Sequence, residues 1–102
     1  MYKHVVMWKF NPNISYYDKE KMVNILNDLS NKIEFIKKIE VSLNSSDNTS
    51  SYDIILITEF ISEDEYKKYA NHPLHVKAVD FIKDIVIEKA IVDYNFNLGN
   101  NE

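Results

Sequence analysis

Cysteine is absent from the 102 residues, and glycine occurs once, as Gly99. Without cysteine there is no disulfide frame, no thiol nucleophile and no Cys-type zinc site. One glycine cannot build a phosphate-cradling fingerprint, which needs several at fixed spacing. No basic cluster longer than the pairs Lys37-Lys38 and Lys67-Lys68 occurs, and the net charge is −4. A nucleic-acid footprint needs a clustered basic face, so that partner class is not expected. The apolar runs fall far short of the ~18 residues of a membrane helix. The N-terminus opens on a strand pattern rather than a signal-peptide profile, so the expected location is the cytoplasm.

What is present reads as one small domain over residues 1–96, followed by a polar tail, 97–102. Lys3 to Phe10 alternates as a strand, with Tyr2, His4, Val6, Trp8 and Phe10 on one side. Asn11-Pro12-Asn13 ends it. Ser15 is placed to cap a helix to about Asn31, with Met22, Ile25, Leu26, Leu29 and Ile33 at helical spacing. A second strand is expected over Phe35–Leu43, then a polar loop, then a third strand over Tyr52–Phe60. Ser62 opens another helix, which stops before Pro73. The residue ahead of a proline is pushed out of helical geometry, so His72 is expected in a kink. Pro73 begins a further helix to about Asp84, and Ile87–Tyr94 forms a last strand.

This order implies a four-stranded antiparallel sheet with helices on one face, the ferredoxin-like βαββαβ plan. Helices shelter one side only, yet the strands carry a second apolar set: Val5, Met7, Ile36, Ile55, Ile57, Ile87 and Ile91. Burial is worth roughly 1.5–3 kcal/mol per such side chain. Leaving the set in water would forgo about 10 kcal/mol, comparable with a whole domain's stability. The expected cover is the same face of a second copy, giving a homodimer.

Chemistry concentrates in Tyr66-Lys67-Lys68-Tyr69-Ala70-Asn71-His72-Pro73-Leu74-His75, which holds two of the three histidines. His75 titrates near neutral pH and could remove a proton next to a carbonyl, while Tyr69 could donate to the resulting oxyanion. The structural alternatives are a helix-terminal His75 bonded to backbone and a core Tyr69 with its hydroxyl at the rim. His72 is expected to hold the turn by a hydrogen bond beside the pocket wall. His4 reads as a satisfied half-buried histidine or as pocket lining. The histidine spacing gives little support to a metal site, so neither metal nor cofactor is expected.

The opening Lys3-His4-Val5-Val6-Met7-Trp8-Lys9-Phe10, the block Tyr69-Ala70-Asn71-His72-Pro73-Leu74-His75-Val76 and the closing Ile91-Val92-Asp93-Tyr94 resemble the stress-responsive A/B barrel (Dabb) family of dimeric alpha-beta barrels. The resemblance implies a subunit pairing through its sheet into a barrel-like homodimer. The family includes a plant polyketide cyclase whose catalytic tyrosine and histidine match Tyr69 and His75. It also implies a pocket between helices and sheet, lined by His4, Val6, Trp8, Met22, Val23 and Leu26. Met22, Val23 and Leu26 stand where the cyclase is aromatic, and Trp8 where it has a smaller aliphatic residue, so the likeness stops short of the polyketide substrate. The functions implied are binding of a small apolar or aromatic ligand by a homodimer, with three alternatives. These are a cofactor-independent lyase, cyclase or isomerase using the Tyr69–His75 pair, a dimeric-barrel monooxygenase, and a purely structural stress protein.

Overall fold

A computed structural model describes residues 1–97; the expected tail lies almost wholly outside the described residues. The elements run β1 (Tyr2–Phe10), α1 (Tyr16–Lys32), β2 (Lys38–Leu43), β3 (Ile54–Phe60), α2 (Glu63–Ala70), α3 (Pro73–Ile82) and β4 (Val86–Asn95). The strands form one antiparallel sheet in the order β2-β3-β1-β4. With the helices on one face, this is the ferredoxin-like plan, its second helix split into α2 and α3. None of the described helices is long and apolar enough to cross a membrane.

Local chemistry sets the element ends. The Ser15 hydroxyl accepts from the backbone N–H of Asp18 at 3.1 Å and the Ser62 hydroxyl from that of Glu65 at 3.3 Å, satisfying donors that the first turn leaves unpaired. His72 has extended backbone, with φ −67° and ψ 135°, and its Nδ1 accepts from Leu74 N–H at 3.1 Å. It therefore caps α3, with Pro73 as the first helical residue. Two expected strand starts move inward. Glu34 and Phe35 form a turn before β2, and the Asp53 carboxylate accepts from Phe10 N–H at 2.7 Å just before β3.

The buried side of β1 carries Tyr2, His4, Val6, Trp8 and Phe10, all covered by helices or neighbouring strands. Met22, Leu26 and Leu29 of α1 and Tyr69 of α2 complete the core over this face with Leu56 and Phe60 of β3. The opposite face presents Val5 and Met7 beside Ile57 and Ile55, flanked on β4 by Val92 and Ala90. Three members of the expected second set are therefore corrected. Ile36 is buried in the helix-side core. Ile91 pairs with Val6, so it shares the helix side rather than the outer one. Ile87 is the extra residue where pairing jumps from Lys9–Glu88 to Phe10–Val86, a bulge that the sequence does not announce.

Helices lie over β1, β2 and β3 but leave β4 largely open. On its helix side Ile87 is 64% and Ile91 46% exposed, while Val92 on the outer side is 61% exposed. The border strand thus has apolar groups on both faces and little protein above either.

Candidate active site

The gap between α3 and β4 is a cavity of about 400 Å³. Its floor is His4, Val6 and Trp8 of β1, and Leu26 and Leu56 stand behind. One wall is Ala78, Val79 and Ile82 of α3 with Lys83 just past its end; the other is Val86 to Lys89 with Ile91. Tyr66, Tyr69 and His75 close the polar end.

The break between α2 and α3 brings this end together. Ala70 is the last residue of α2, so its carbonyl has no partner within the helix. The His75 Nδ1–H donates to that carbonyl at 3.0 Å. The bond fixes the tautomer and leaves Nε2 with its lone pair. It also lays the imidazole against Tyr69, with ring centroids 4.4 Å apart and planes at 53°.

Burial holds the His75 pKa below the ordinary 6.5, against the pull of the Ala70 carbonyl, and the positive charge of Lys89 pushes the same way as burial. The ring is therefore neutral at pH 7 and able to accept a proton. Tyr69 is 1% exposed, and burial, helped by Tyr66, pushes its hydroxyl pKa far up. It keeps its proton, yet among the described residues its buried oxygen has no hydrogen-bond partner. A buried hydroxyl left this way costs about 1–3 kcal/mol. A neutral base and a stranded donor thus share the same end of the cavity.

His4 adds a second oriented imidazole. Its Nδ1 lies 2.5 Å from Oδ1 of Asp93, the residue opposite it on β4. With the proton on Nδ1, a carboxylate holds the ring in one orientation and leaves Nε2 on the far edge. The His4 ring packs 4.9 Å from the centroid of Tyr66 and 6.4 Å from that of Tyr69. Among the described residues, no group of three or more His, Asp or Glu side chains is arranged to hold a metal ion.

Residues 2–96 match the family described as Stress Responsive A/B Barrel Domain. The chain belongs to that family. No curated protein matches it. Among solved structures, this A/B barrel domain is similar to a dimeric protein of unknown function with a ferredoxin-like fold from Bacteroides fragilis: 34% identity, TM-score 0.79, covering 93% of this chain and 95% of that one. It also resembles in fold the hydroxynitrile lyase from Passiflora edulis, at 12% identity and TM-score 0.85 over 98% of this chain and 96% of that one. A putative antibiotic biosynthesis monooxygenase from Nitrosomonas europaea shares the fold at 15% identity, TM-score 0.74, over 94% and 98% of the two chains.

Of the site residues named from the sequence, the A/B barrel domain brings His4, Val6, Trp8, Leu26, Tyr69 and His75 around the cavity. Three stand outside its lining. Met22 is fully buried in the core, Val23 is half-buried against that core, and His72 is spent on the α3 cap with its ring near Phe35. The helical face of α1 was read correctly, but only its Leu26 reaches the gap. Asp93, Lys89, Ile91 and the α3 wall are not among the site residues that the sequence suggests. Asp93 could have been found from the β1–β4 register, which juxtaposes it with His4.

Two measurements follow from this geometry. Tyr69→Phe removes a hydroxyl that has no partner, so unfolding in urea should show unchanged stability or a gain of up to about 1 kcal/mol, not the ~1 kcal/mol loss of a paired hydroxyl. His75 has a folded pKa below its unfolded value, so the unfolded chain binds the proton first. Its contribution to stability is complete above about pH 6.5 and declines as pH falls from there toward the folded pKa. Wild type should therefore lose more stability than His75→Gln between about pH 7 and pH 5. Equal losses would show that the ring titrates alike in both states.

Proposed function

We propose that this A/B barrel domain works as a homodimer, paired through the outer face of its sheet. Each subunit binds a small, largely apolar carbonyl compound between helices and sheet and moves a proton on it without a cofactor. The observation that carries the chemistry is the neutral His75 ring packed against the ring of Tyr69, whose buried hydroxyl has no partner among the described residues. The His75 Nε2 takes a proton from the carbon next to the carbonyl. The electrons of that C–H bond move onto the carbonyl oxygen, and Tyr69 donates a hydrogen bond to the oxyanion. The imidazolium then returns the proton to the substrate, to the same or another atom. Lyase, cyclase and isomerase reactions all share this first step. The lyase name of the Passiflora edulis relative supports the capacity of the fold for such chemistry.

Hydrogen exchange tests this reading without knowledge of the natural substrate. In D₂O, the protein should accelerate loss of the α-proton signal of small aryl ketones, followed by NMR. His75→Gln and Tyr69→Phe should each slow that exchange by about a hundredfold or more. Exchange no faster than with an equal concentration of free imidazole would dismiss the pair as catalysts.

Pairing is supported by the apolar outer patch of Val5, Met7, Ile55, Ile57, Ala90 and Val92 and by the dimeric state of the Bacteroides fragilis relative. The salt bridges Lys3–Glu59 at 3.5 Å and Lys9–Glu88 at 3.8 Å flank the patch with polar groups, as at an interface rim. Sedimentation equilibrium should give twice the 12.1 kDa chain mass. Ile57→Asp should convert the protein to a folded or partly unfolded monomer. A stable wild-type monomer at micromolar concentration would sink the pairing.

A further inference from the structure

The mouth of the cavity carries a charge opposite in sign to that of the chain. The protein as a whole is at −4, yet the solvent-exposed charged residues of the cavity lining are Lys83, Lys89 and Glu88. Glu88 is committed elsewhere. It sits opposite Lys9 on the outer face and pairs with Lys9 Nζ at 3.8 Å. Asp93, further along β4, is engaged with His4. Lys83 pairs at a similar 3.9 Å with the exposed carboxylate of Asp80, which is not part of the cavity lining. Lys89 lies opposite Trp8 on the helix side of β4, and among the described residues its ammonium makes no ion pair. Its charge reaches far enough into the cavity to disfavour protonation of His75.

These observations describe a pocket with an apolar middle, a hydrogen-bonding inner end and an unbalanced positive mouth. We propose that the ligand is a small apolar carboxylic acid. Its carboxylate stays at the mouth against Lys89 and Lys83, while its apolar body fills the space over Val6, Trp8 and Ile91 and its far end reaches Tyr69 and His75. This rests on the reading of the cavity as a small-molecule site and adds the chemical class of the molecule. A carboxylate fits better than a phosphate. The chain has no arginine to grip a phosphate with paired donors, and its single glycine leaves no loop of backbone N–H groups to cradle one. Two lysine ammonium groups at a partly solvated opening suit one negative charge. A volume of about 400 Å³ is at the lower end for organic ligands, which restricts the body to one ring or a short chain.

Titration of the full chain with 3-phenylpropanoate and with the neutral 3-phenylpropanamide, followed by calorimetry, separates charge from shape. The acid should bind about tenfold more tightly at low salt, and the difference should shrink in ~1 M salt, where charges are screened within ~3 Å. In a Lys83→Gln/Lys89→Gln double variant the two probes should bind equally, with amide affinity unchanged as the check on folding. Equal binding by wild type, a preference that survives the double substitution, or binding of neither probe at millimolar concentration would overturn the proposal. The readout is independent of catalysis. Acid preference without ketone exchange would refute the proton-transfer reading alone, and exchange without acid preference would refute this one alone.

Discussion

The alternation of β1 governs the molecule. This strand is hydrogen-bonded on both sides, to β3 and to β4, so its side chains have only two directions to take. Tyr2, Val6, Trp8 and Phe10 go under the helices and nucleate the core; Val5 and Met7 go to the other face. A slip of one residue would exchange the two sets and turn Lys3 and Lys9 into the core. Because both neighbours are registered on β1, its phase also decides which β4 residues face the helices. His4 meets Asp93, Val6 meets Ile91 and Trp8 meets Lys89 for that reason alone. The cavity is thus a product of strand register before it is a product of any special residue.

The second constraint is the interruption of the helix layer. A continuous helix through residues 63–82 would have satisfied the Ala70 carbonyl internally. Pro73 prevents it, lacking the N–H and forbidding helical geometry at His72. His72 and His75 then divide the repair. One ring caps the new helix, and the other seals the end of the old one. The same bond that closes α2 selects the tautomer of His75 and sets the ring against Tyr69. Stability and the proposed reactivity are joined in one hydrogen bond, whereas the Tyr69 hydroxyl is a cost to the protein that only a partner oxygen or nitrogen would relieve.

Much of this was legible in the residues. The Ser15 and Ser62 caps, the Pro73 start, the two-sided strands and the family motif each have a local chemical cause that a sequence displays. Five side chains of the cavity wall stand in the motif or the first strand and a sixth, Leu26, on the first helix, all within reach of the family resemblance. What escaped reading is what depends on long-range register. The polar Asp93 gives no sign on its own of being opposite His4, 89 residues away. Ile91 and Ile87 were assigned to the outer face because period-2 alternation fixes which residues share a side, not which side it is. The bulge near Ile87 then breaks even that parity. Met22 and Val23 lie on the same helix as Leu26, but they pack in or against the core and only Leu26 lines the gap.

Border strand β4 has one more implication. Its inward residues Ile87, Lys89 and Ile91 are exposed, and no helix presses upon them. Exchanging them opens no void in the interior, so the usual toll of core substitutions does not apply. Selection can therefore rewrite half of the cavity wall while β1 and the tyrosine–histidine end stay as they are. A lineage built on this scaffold can reshape its cavity faster than its foldedness erodes.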